Sequence, residues 1–469
     1  MMKSLAGRRR LRYICRQKRR ENTMAYIEIP EKAGWILKVL RENGYEAYIV
    51  GGCVRDSIMG RVPEDWDITT SAAPQQVKAL FARTVDTGIE HGTVTVLVDK
   101  EAFEVTTYRI DGEYEDCRHP KDVIFTSNLI EDLKRRDFTI NAMAYAPETG
   151  LVDVFGGIED LKDKTIRCVG DPKERFSEDA LRMMRAVRFA AQLGFSLAQD
   201  VRGAIREMAD ALDHISAERI QTELVKLLIS PNPHWFRLAY ECGITSVIMP
   251  EFDRIMVQRQ NNPHHAFTTG DHTLCALQHI PAEKRLRLAI LFHDMGKPEV
   301  FTTDETGKDH FRGHAAYSEK IARRIMKNLK FDNDTLYAVC NLVRNHSWYP
   351  QLSGTGVRRC AYLIGPDAFD DFLLVKRADI MAQHPDVVEE KLDYLKEVEH
   401  IWRDVRLHGD CLTLKELDLN GRDLIADGME PGSRLGEVLE RLLQDVLEYP
   451  EHNQREYLLK KSRELRGEA

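Results

Sequence analysis

The stretch from residue 48 to residue 70 constrains the fold and the chemistry of this chain more than any other. It reads as an apolar strand, a pair of glycines, a short helix and a second strand that carries Asp65 and Asp67 around Trp66. Residues i and i+2 of a strand point to the same face, so both carboxylates can reach the same metal ions. An isolated Asp-x-Asp is commonly a solvated surface strand. The preceding glycines favour a metal-dependent phosphoryl-transfer site.

The glycine pair, Gly51 and Gly52, would let the backbone approach a triphosphate, because neither residue has a Cβ atom. Arg55 follows as a donor to phosphate or to a local carboxylate. Two other nucleotide-binding motifs are excluded here. No Gly-x-Gly-x-x-Gly follows the strand, and no Gly-Lys-Ser/Thr occurs in the chain.

These residues resemble a known family. Gly-Gly-Cys-Val-Arg-Asp at 51–56 followed by Asp-Trp-Asp at 65–67 is similar to the head of bacterial and eukaryotic CCA-adding tRNA nucleotidyltransferases, and to their relatives the bacterial poly(A) polymerases. The resemblance implies an α+β protein, in which a nucleotidyltransferase head with a small mixed sheet precedes all-helical domains. It also implies Mg²⁺ held by Asp65 and Asp67.

Composition sets the broad class of the protein. A length of 469 residues suggests about three domains. The net charge of -8 means that any RNA surface must be a local basic patch. Nine cysteines without a Cys-x-x-Cys pair favour a reducing compartment, so we expect the cytosol. No apolar run approaches the roughly 20 residues of a membrane span, so we expect no membrane partner.

The first twenty residues hold nine Lys or Arg and no acid. This leader is either an RNA-binding arm or a stretch upstream of a true start at Met24, and we expect it to be disordered. The predicted domains are the leader at 1–23, the head at 24–170, a helical neck at 171–255, a metal domain at 256–385 and a helical tail at 386–469. The neck includes an amphipathic helix over 216–229.

Within the head, residues 31–43 show the apolar spacing of an amphipathic helix, and residues 92–98 and 102–109 predict adjacent strands. Glu104 on the second strand is either a third carboxylate beside Asp65 and Asp67 or a surface charge. Arg109 is a candidate for nucleotide binding. Residues 111–125 are polar and turn-rich, which predicts a mobile loop, and the resemblance implies that such a loop is needed to add the terminal A.

A second motif, Arg-Arg-Asp-Phe-Thr-Ile-Asn-Ala at 135–142, suits nucleotide handling. Arg136 offers forked donors to phosphate, while Asp137 and Asn141 can hold sugar hydroxyls. Paired arginines of this kind also form plain surface salt bridges. The whole octet matches the family, which favours the nucleotide role.

Residues 178–189 predict one helix on which Asp179 and Arg182, three apart, are neighbours on one face. An ordinary ion pair is the alternative. Cytosine and adenine each present an amino donor beside a ring-nitrogen acceptor, and an Asp beside an Arg complements both. Uracil and guanine reverse that order and would leave buried charges unpaired. The family's CCA-adding members carry Glu-Asp-x-x-Arg here. Arg185 and Arg188 would face the triphosphate or the RNA end.

Nine of the sixteen histidines lie between His264 and His384. The order of His272, His293-Asp294 and Asp379 resembles that of the HD metal-dependent phosphohydrolases, a domain fused to some bacterial CCA-adding enzymes. Imidazole and carboxylate together suit Mn, Fe, Co, Ni or Zn. The same region supplies candidates for a second metal and for substrate phosphate, namely His314, His346 and Lys297.

The tail resembles the family's C-terminal element. A long charged helix is predicted between residues 384 and 410, and Asn-Gly-Arg-Asp at 420–423 would cap a helix over 435–447. That helix would contact tRNA or a partner subunit, or form a purely structural hairpin.

Together these features predict template-independent addition of C, C and A to tRNA from CTP and ATP, with release of pyrophosphate and a metal domain that hydrolyses phosphoesters. The alternatives are a poly(A) polymerase or an A-only adder, and a phosphohydrolase whose inactive head only binds tRNA. Either a monomer or a homodimer is compatible with the sequence.

Overall fold

A computed structural model of the chain describes residues 27–111, 123–261 and 267–467. They form two compact units that divide between Ile215 and Ser216. The first unit combines a sheet with helices, and the second is almost wholly helical, which confirms the α+β class. The leader at 1–23 and Met24 lie outside the described residues. The finer domain limits near 170, 255 and 385 stay predictions.

The first unit is built on a mixed sheet of seven strands in the order β3-β4-β5-β2-β1-β8-β9. Only β2 and β5 pair in parallel within it. The strands of this unit are β1 Ala47–Val50, β2 Ile68–Thr70, β3 Thr84–Gly88, β4 Thr93–Val98, β5 Glu101–Thr107, β6 Arg109–Asp111, β7 Val123–Phe125, β8 Met143–Ala146, β9 Gly150–Asp153, β10 Thr165–Ile166 and β11 Ser196–Leu197.

Helices flank this sheet and continue after it. The bounds are α1 Glu31–Glu42, α2 Gly52–Ile58, α3 Pro74–Leu80, α4 Leu129–Lys134, α5 Gly157–Lys162, α6 Pro172–Glu178, α7 Leu181–Leu193 and α8 Gln199–Met208. The predicted amphipathic helix is confirmed as α1, whose Ile36, Leu37 and Leu40 are buried in the core with Ile49 of β1. The predicted adjacency of β4 and β5 is also confirmed, with Thr95 opposite Glu104.

The second predicted strand begins later than expected. Asp65 and Asp67 precede β2, which starts at Ile68. The carbonyl of Asp67 already accepts from the Val50 amide at 3.0 Å, so Asp67 lies at the entrance to the strand. Trp66 is partly buried and packs against the core, as its alternation with the two aspartates predicts.

The stretch of residues 111–125, which was expected to be a loop, begins and ends in paired strands. Arg109 pairs with Phe125 and Ile110 with Ile124, so β6 and β7 form a two-stranded antiparallel ribbon. Residues 112–122 lie outside the described residues.

The single helix predicted over residues 178–189 is wrong at its first turn. Helix α6 ends at Glu178, α7 begins at Leu181, and Asp179 between them has extended backbone angles of φ -149° and ψ 102°. Asp179 and Arg182 therefore do not share a helical face. The Asp179 side chain accepts a hydrogen bond from the Leu181 amide at 3.1 Å, an interaction typical of aspartate before a helix.

The second unit is a helical assembly with one short hairpin, formed by β12 Thr302–Thr303 and β13 Asp309–His310. Its helices are α9 Ala217–Leu228, α10 Phe236–Glu241, α11 Ile244–Ile248, α12 Pro250–Val257, α13 Thr269–Ala276, α14 Lys284–Phe292, α15 His314–Asn328, α16 Asn333–Asn345, α17 Gly354–Ile364, α18 Phe369–Met381, α19 Pro385–His408, α20 Gly421–Ala426, α21 Ser433–Glu448 and α22 Arg455–Arg466. Among the described helices, none combines the length and the apolar character that crossing a bilayer would require.

Three predicted helices of this unit are confirmed, as α9, as the 24-residue α19 and as α21, which covers the predicted 435–447. The expectation for Asn420 is wrong. Its side chain accepts from the amides of Arg422 and Asp423, and Asp423 in turn accepts from the Asn420 amide at 2.9 Å. This capping box begins the short helix α20, so Asn420 does not cap α21.

Candidate active sites

Three carboxylates gather at the entrance to β2. Burial raises the pKa of Asp67, Arg136 opposes that rise, and the charges of Glu104 and Asp65 add to it. Asp65 and Glu104 are themselves exposed. Neighbouring negative charges favour a bound cation, and oxygen ligands suit Mg²⁺. Among the described residues, the ligand groups that lie within 4.8 Å of one another are in the second unit, so a magnesium site at Asp65, Asp67 and Glu104 stays a prediction.

The glycine pair borders these carboxylates. Gly51 has φ +82°, which glycine adopts without strain. A Cβ atom there would lie 3.1 Å from a terminal nitrogen of Arg136 and 4.0 Å from Asp67 Oδ2. A Cβ atom on Gly52 would lie 3.7 Å from a terminal nitrogen of Arg55. The backbone is bare where arginine donors and the Asp67 carboxylate converge, as the predicted triphosphate site requires.

Arg55 is linked to the second motif by a chain of hydrogen bonds. It donates to Asp56 at 2.9 and 2.8 Å and to Asn141 Oδ1 at 2.8 Å. Asn141 donates to Asp137 at 3.2 Å, and Asp137 accepts from Arg185 at 2.8 and 2.6 Å. Three distant stretches of the chain are thereby held in one network.

The charge of Asp137 is fixed by this network. Burial alone would raise the pKa of Asp137, but the guanidiniums of Arg185 and Arg182 outweigh burial and lower the pKa to about 2. Asp137 is thus ionised at neutral pH and holds arginines in place. The side chains of both Asp137 and Asn141 form hydrogen bonds with protein groups, in addition to any contact with a sugar.

Asp132 is a site residue that the sequence analysis did not single out. It is fully buried on α4 and accepts from Thr69 at 3.1 Å and from Arg135 at 2.9 and 2.8 Å, with Arg136 at 3.6 Å. Asp132 lies three and four residues before the two arginines, and residues at these spacings are neighbours on a helix. That spacing could have identified Asp132 from the sequence.

Arg182 is held against the second motif. Its guanidinium donates to Glu178 Oε2 at 2.5 Å, to the carbonyl of Arg175 at 3.1 Å and to the carbonyl of Arg135 at 3.3 Å. The structure therefore brings Arg182 to the nucleotide-handling residues, next to the extended Asp179.

Arg109 and Arg188 take different positions. Arg109 donates from β6 to the carbonyl of His91. Arg188 lies on α7 with its guanidinium carbon 4.1 Å from the ring centroid of Phe189.

The second unit brings together all six metal-ligand candidates. His272 lies on α13, His293 and Asp294 follow α14, His314 begins α15, His346 follows α16 and Asp379 lies on α18. Ligand atoms of His272, His293 and Asp294 form one group, and those of Asp294, His314 and His346 form another, each within 4.8 Å. Asp379 Oδ1 lies 3.0 Å from His272 Nε2.

The tautomers of the four histidines follow from their backbone contacts. In every case Nδ1 lies 2.7 to 3.1 Å from a carbonyl oxygen, which can only accept, so Nδ1 carries the hydrogen. In the neutral form of each histidine, Nε2 then keeps its lone pair. These lone pairs converge, with 3.3 Å between the Nε2 atoms of His272 and His293 and 3.1 Å between those of His314 and His346.

Converging lone pairs repel unless a cation lies between them, so the donor set fits two metal positions. Burial and the neighbouring imidazoles of His314 and His293 hold the pKa of His346 well below its usual range, which keeps it in the neutral, ligating form. Four nitrogens and two carboxylates suit a transition metal better than Mg²⁺.

Lys297 is also part of this cluster. Its ammonium is buried and lies 2.7 Å from both Asp294 Oδ2 and Gln260 Oε1. The Lys297 ammonium is thus engaged with protein groups. Burial would raise the pKa of Asp294, but His293 and Lys297 together lower that pKa well below its usual range.

Comparison with known proteins covers most of the chain. Residues 47–167 match the model of the poly(A) polymerase head domain, residues 194–256 that of a probable RNA- and SrmB-binding site of polymerase A, and residues 310–461 that of a tRNA nucleotidyltransferase domain 2.

Whole-length relatives agree with these matches. The chain is 37% identical to a CCA-adding enzyme of Levilactobacillus brevis over 87% of this chain and 91% of that protein. It is 34% identical to one of Enterococcus faecalis over 94% and 97%. It also resembles the crystal structure of a Bacillus stearothermophilus CCA-adding enzyme in complex with CTP, with a TM-score of 0.67, 29% identity and coverage of 94% and 100%.

Proposed function

The chain belongs to the family of CCA-adding enzymes, and from that premise we propose that it adds C, C and A to the 3′ end of tRNA from CTP and ATP, releasing pyrophosphate. One observation carries the proposal for this chain's own residues. The Asp67 carboxylate and the Arg136 guanidinium both border the space above the bare Gly51, and the charges of Asp65 and Glu104 act on Asp67.

In this proposal Asp65 and Asp67, with Glu104, hold Mg²⁺, which when bound supplies positive charge for the attacking hydroxyl and the leaving pyrophosphate. The backbone at Gly51 and Gly52 admits the triphosphate. The nearby arginines bind it, and the network through Asp137 keeps their guanidiniums in place before the nucleotide arrives.

Base choice is assigned to Asp179 and Arg182. An aspartate acceptor and an arginine donor complement the edges shared by cytosine and adenine. Arg182 is fixed by Glu178 and two backbone carbonyls, whereas Asp179 lies in extended backbone between two helices. An acceptor and a donor at these two positions can therefore read both bases without a nucleic-acid template.

An extension assay tests this function. Transfer RNA lacking its last three nucleotides would be incubated with CTP, ATP or both, and the products separated by length. We expect two additions with CTP alone and a stop after the third residue with both. Unlimited A addition would show a poly(A) polymerase. Failure to use CTP, together with addition of A to a second tRNA that already ends in CC, would show an A-only adder.

The double variant Asp65→Ala plus Asp67→Ala is the control. It should bind tRNA like the wild type but lose extension, because the change removes two carboxylates and leaves the basic surfaces intact. Extension by this variant would contradict the assignment of the carboxylates, and an inactive wild type would favour a head that only binds tRNA.

A second activity is proposed for the second unit, on a separate observation. The four converging Nε2 atoms with Asp294 and Asp379 are the donor set of a metal-dependent phosphohydrolase, and we assign them to hydrolysis of phosphoesters with a transition metal such as Mn, Fe, Co, Ni or Zn.

Metal analysis with a phosphodiesterase assay tests this activity. His293→Ala and Asp294→Ala should each lose bound metal and hydrolysis while CCA addition persists, because the first unit is unchanged. Full metal content in both variants would exclude the site. The expected cytosolic location and the open choice between monomer and homodimer are unaffected by either outcome.

A further inference from the structure

One aromatic ring in the first unit is surrounded by three guanidinium groups. The guanidinium carbons of Arg188, Arg55 and Arg185 lie 4.1, 5.2 and 5.4 Å from the ring centroid of Phe189. Phe189 itself is only 7% exposed, on the buried face of α7. A fourth neighbour, Phe138, meets the ring edge-on at 5.7 Å and an interplanar angle of 80°.

This arrangement gathers arginines that come from distant parts of the chain. Arg55 lies on α2 directly after the glycine pair, whereas Arg185 and Arg188 lie on α7. Guanidiniums this close repel one another. Carboxylates offset part of this repulsion, as in the ion pairs of Arg55 with Asp56 and of Arg185 with Asp137.

The ring adds a further attraction that no carboxylate supplies. The negative face of an aromatic ring attracts a cation within about 6 Å of its centroid, and the attraction grows when the pair is shielded from water. Unlike a carboxylate, the ring does not neutralise the guanidiniums or occupy the N–H groups that point away from it. The ring thus helps to hold the three arginines together without adding a negative charge to the site.

We propose that Phe189 is a positioning residue that holds Arg55, Arg185 and Arg188 ready for the triphosphate of the incoming nucleotide. This inference rests on the proposed nucleotidyl transfer. Phe189 acts only through the arginines. Because CTP and ATP share the triphosphate, a change at Phe189 affects both nucleotides equally and leaves the choice of base, assigned to Asp179 and Arg182, unaltered.

A fluorination series at position 189 tests the proposal without emptying the core. Phenylalanine would be replaced by 4-fluoro-, 3,5-difluoro- and 3,4,5-trifluorophenylalanine, which keep nearly the same shape but progressively weaken the negative ring face. We expect the dissociation constants of CTP and ATP to rise in steps, in parallel, by about fivefold to tenfold across the series. The melting temperature should change little.

Phe195 provides the matched control, because it is 2% exposed in the same unit and no described guanidinium lies over its ring. The same series there should leave nucleotide binding unchanged. A second variant, Phe189→Leu, removes the ring face, so its affinity for CTP and ATP should resemble that of the trifluoro protein. Phe189→Tyr keeps an aromatic ring, so its affinity for both nucleotides should be close to that of the wild type.

The outcomes separate this inference from the proposed function. Steps in affinity in a protein that does not extend tRNA would support the role of Phe189 and refute CCA addition. A flat series in a protein that extends tRNA normally would overturn the inference alone. Unequal effects on CTP and ATP would also overturn it, since the ring would then act on the base.

Discussion

Asp132 supports two parts of the nucleotidyltransferase site at once. Its carboxylate accepts from Thr69 on β2, the strand entered through Asp67, and from Arg135, with Arg136 close by. Burial raises the pKa of Asp132, but Arg135 and Arg136 outweigh that effect and lower it. A single ionised residue therefore fixes the position of the metal-binding strand relative to the arginines.

Replacing Asp132 should damage both parts together. In Asp132→Ala the two guanidiniums lose a buried partner, so we expect the first unit to lose about 2–4 kcal/mol of unfolding free energy. The Michaelis constant for CTP should rise at least about tenfold, equivalent to a loss of about 1.4 kcal/mol of binding. Urea unfolding and steady-state kinetics measure the two effects.

The exposed Asp163, just after α5, is the control for this prediction. Asp163→Ala should change stability by less than about 0.5 kcal/mol and leave kinetics unaltered. If Asp132→Ala bound CTP normally, the support assigned to Asp132 would be wrong.

At the scale of elements, Asn420 and Asp423 form a reciprocal cap on α20. Asn420→Ala removes the acceptor for two amides, and a change of this kind costs about 1 kcal/mol of helix stability. We expect faster hydrogen exchange in α20 and α21, which contact each other, with little change in the first unit.

Asn333 offers a comparison within the same unit, because it is exposed at the first position of α16 and the cap of that helix is Asp332. Asn333→Ala should leave exchange rates near those of the wild type. Equal exchange in both variants would show that the Asn420 cap contributes nothing.

Elements were predictable where a periodic pattern is long. Helices α1, α9 and α19 follow their apolar or charged spacing closely. The break at Asp179 was not predictable, because every residue from 178 to 189 tolerates a helix. The hydrogen bond from the Leu181 amide to the Asp179 side chain replaces a helical backbone bond, and the sequence does not show which of the two forms. The ribbon of β6 and β7 escaped notice because each strand has only three residues.

Residues of the candidate sites could be predicted from the sequence where they belong to short local motifs. The order of His272, His293-Asp294 and Asp379 located one cluster, and the glycine and aspartate motifs located the other. The support by Asp132 and the ring contacts of Phe189 depend on tertiary packing, and neither residue type signals such a role by itself.

At the scale of the whole molecule, the two compact units should respond separately to metal. With Mn²⁺ at about 100 times its dissociation constant, the state that binds it gains about 2.7 kcal/mol. We expect slower hydrogen exchange in α13, α14, α15, α16 and α18, which carry or flank the ligands.

Two histidine variants, one at a proposed ligand and one away from the cluster, test this prediction. His346→Ala should abolish the metal-dependent protection because it removes a ligand. His310→Ala should preserve it, because His310 contacts Asp304 on the hairpin and is not among the ligand groups. Protection that survives in His346→Ala would contradict the proposed cluster.

Asp294 belongs to both ligand groups of the second unit, with Oδ1 toward His314 and His346 and Oδ2 toward His293. Two ions that share one carboxylate cannot bind independently. Whatever factor the first ion imposes on the affinity for the second, the second must impose on the first. We therefore expect metal loading of the proposed cluster to be one coupled equilibrium, with a titration curve that departs from that of two separate sites.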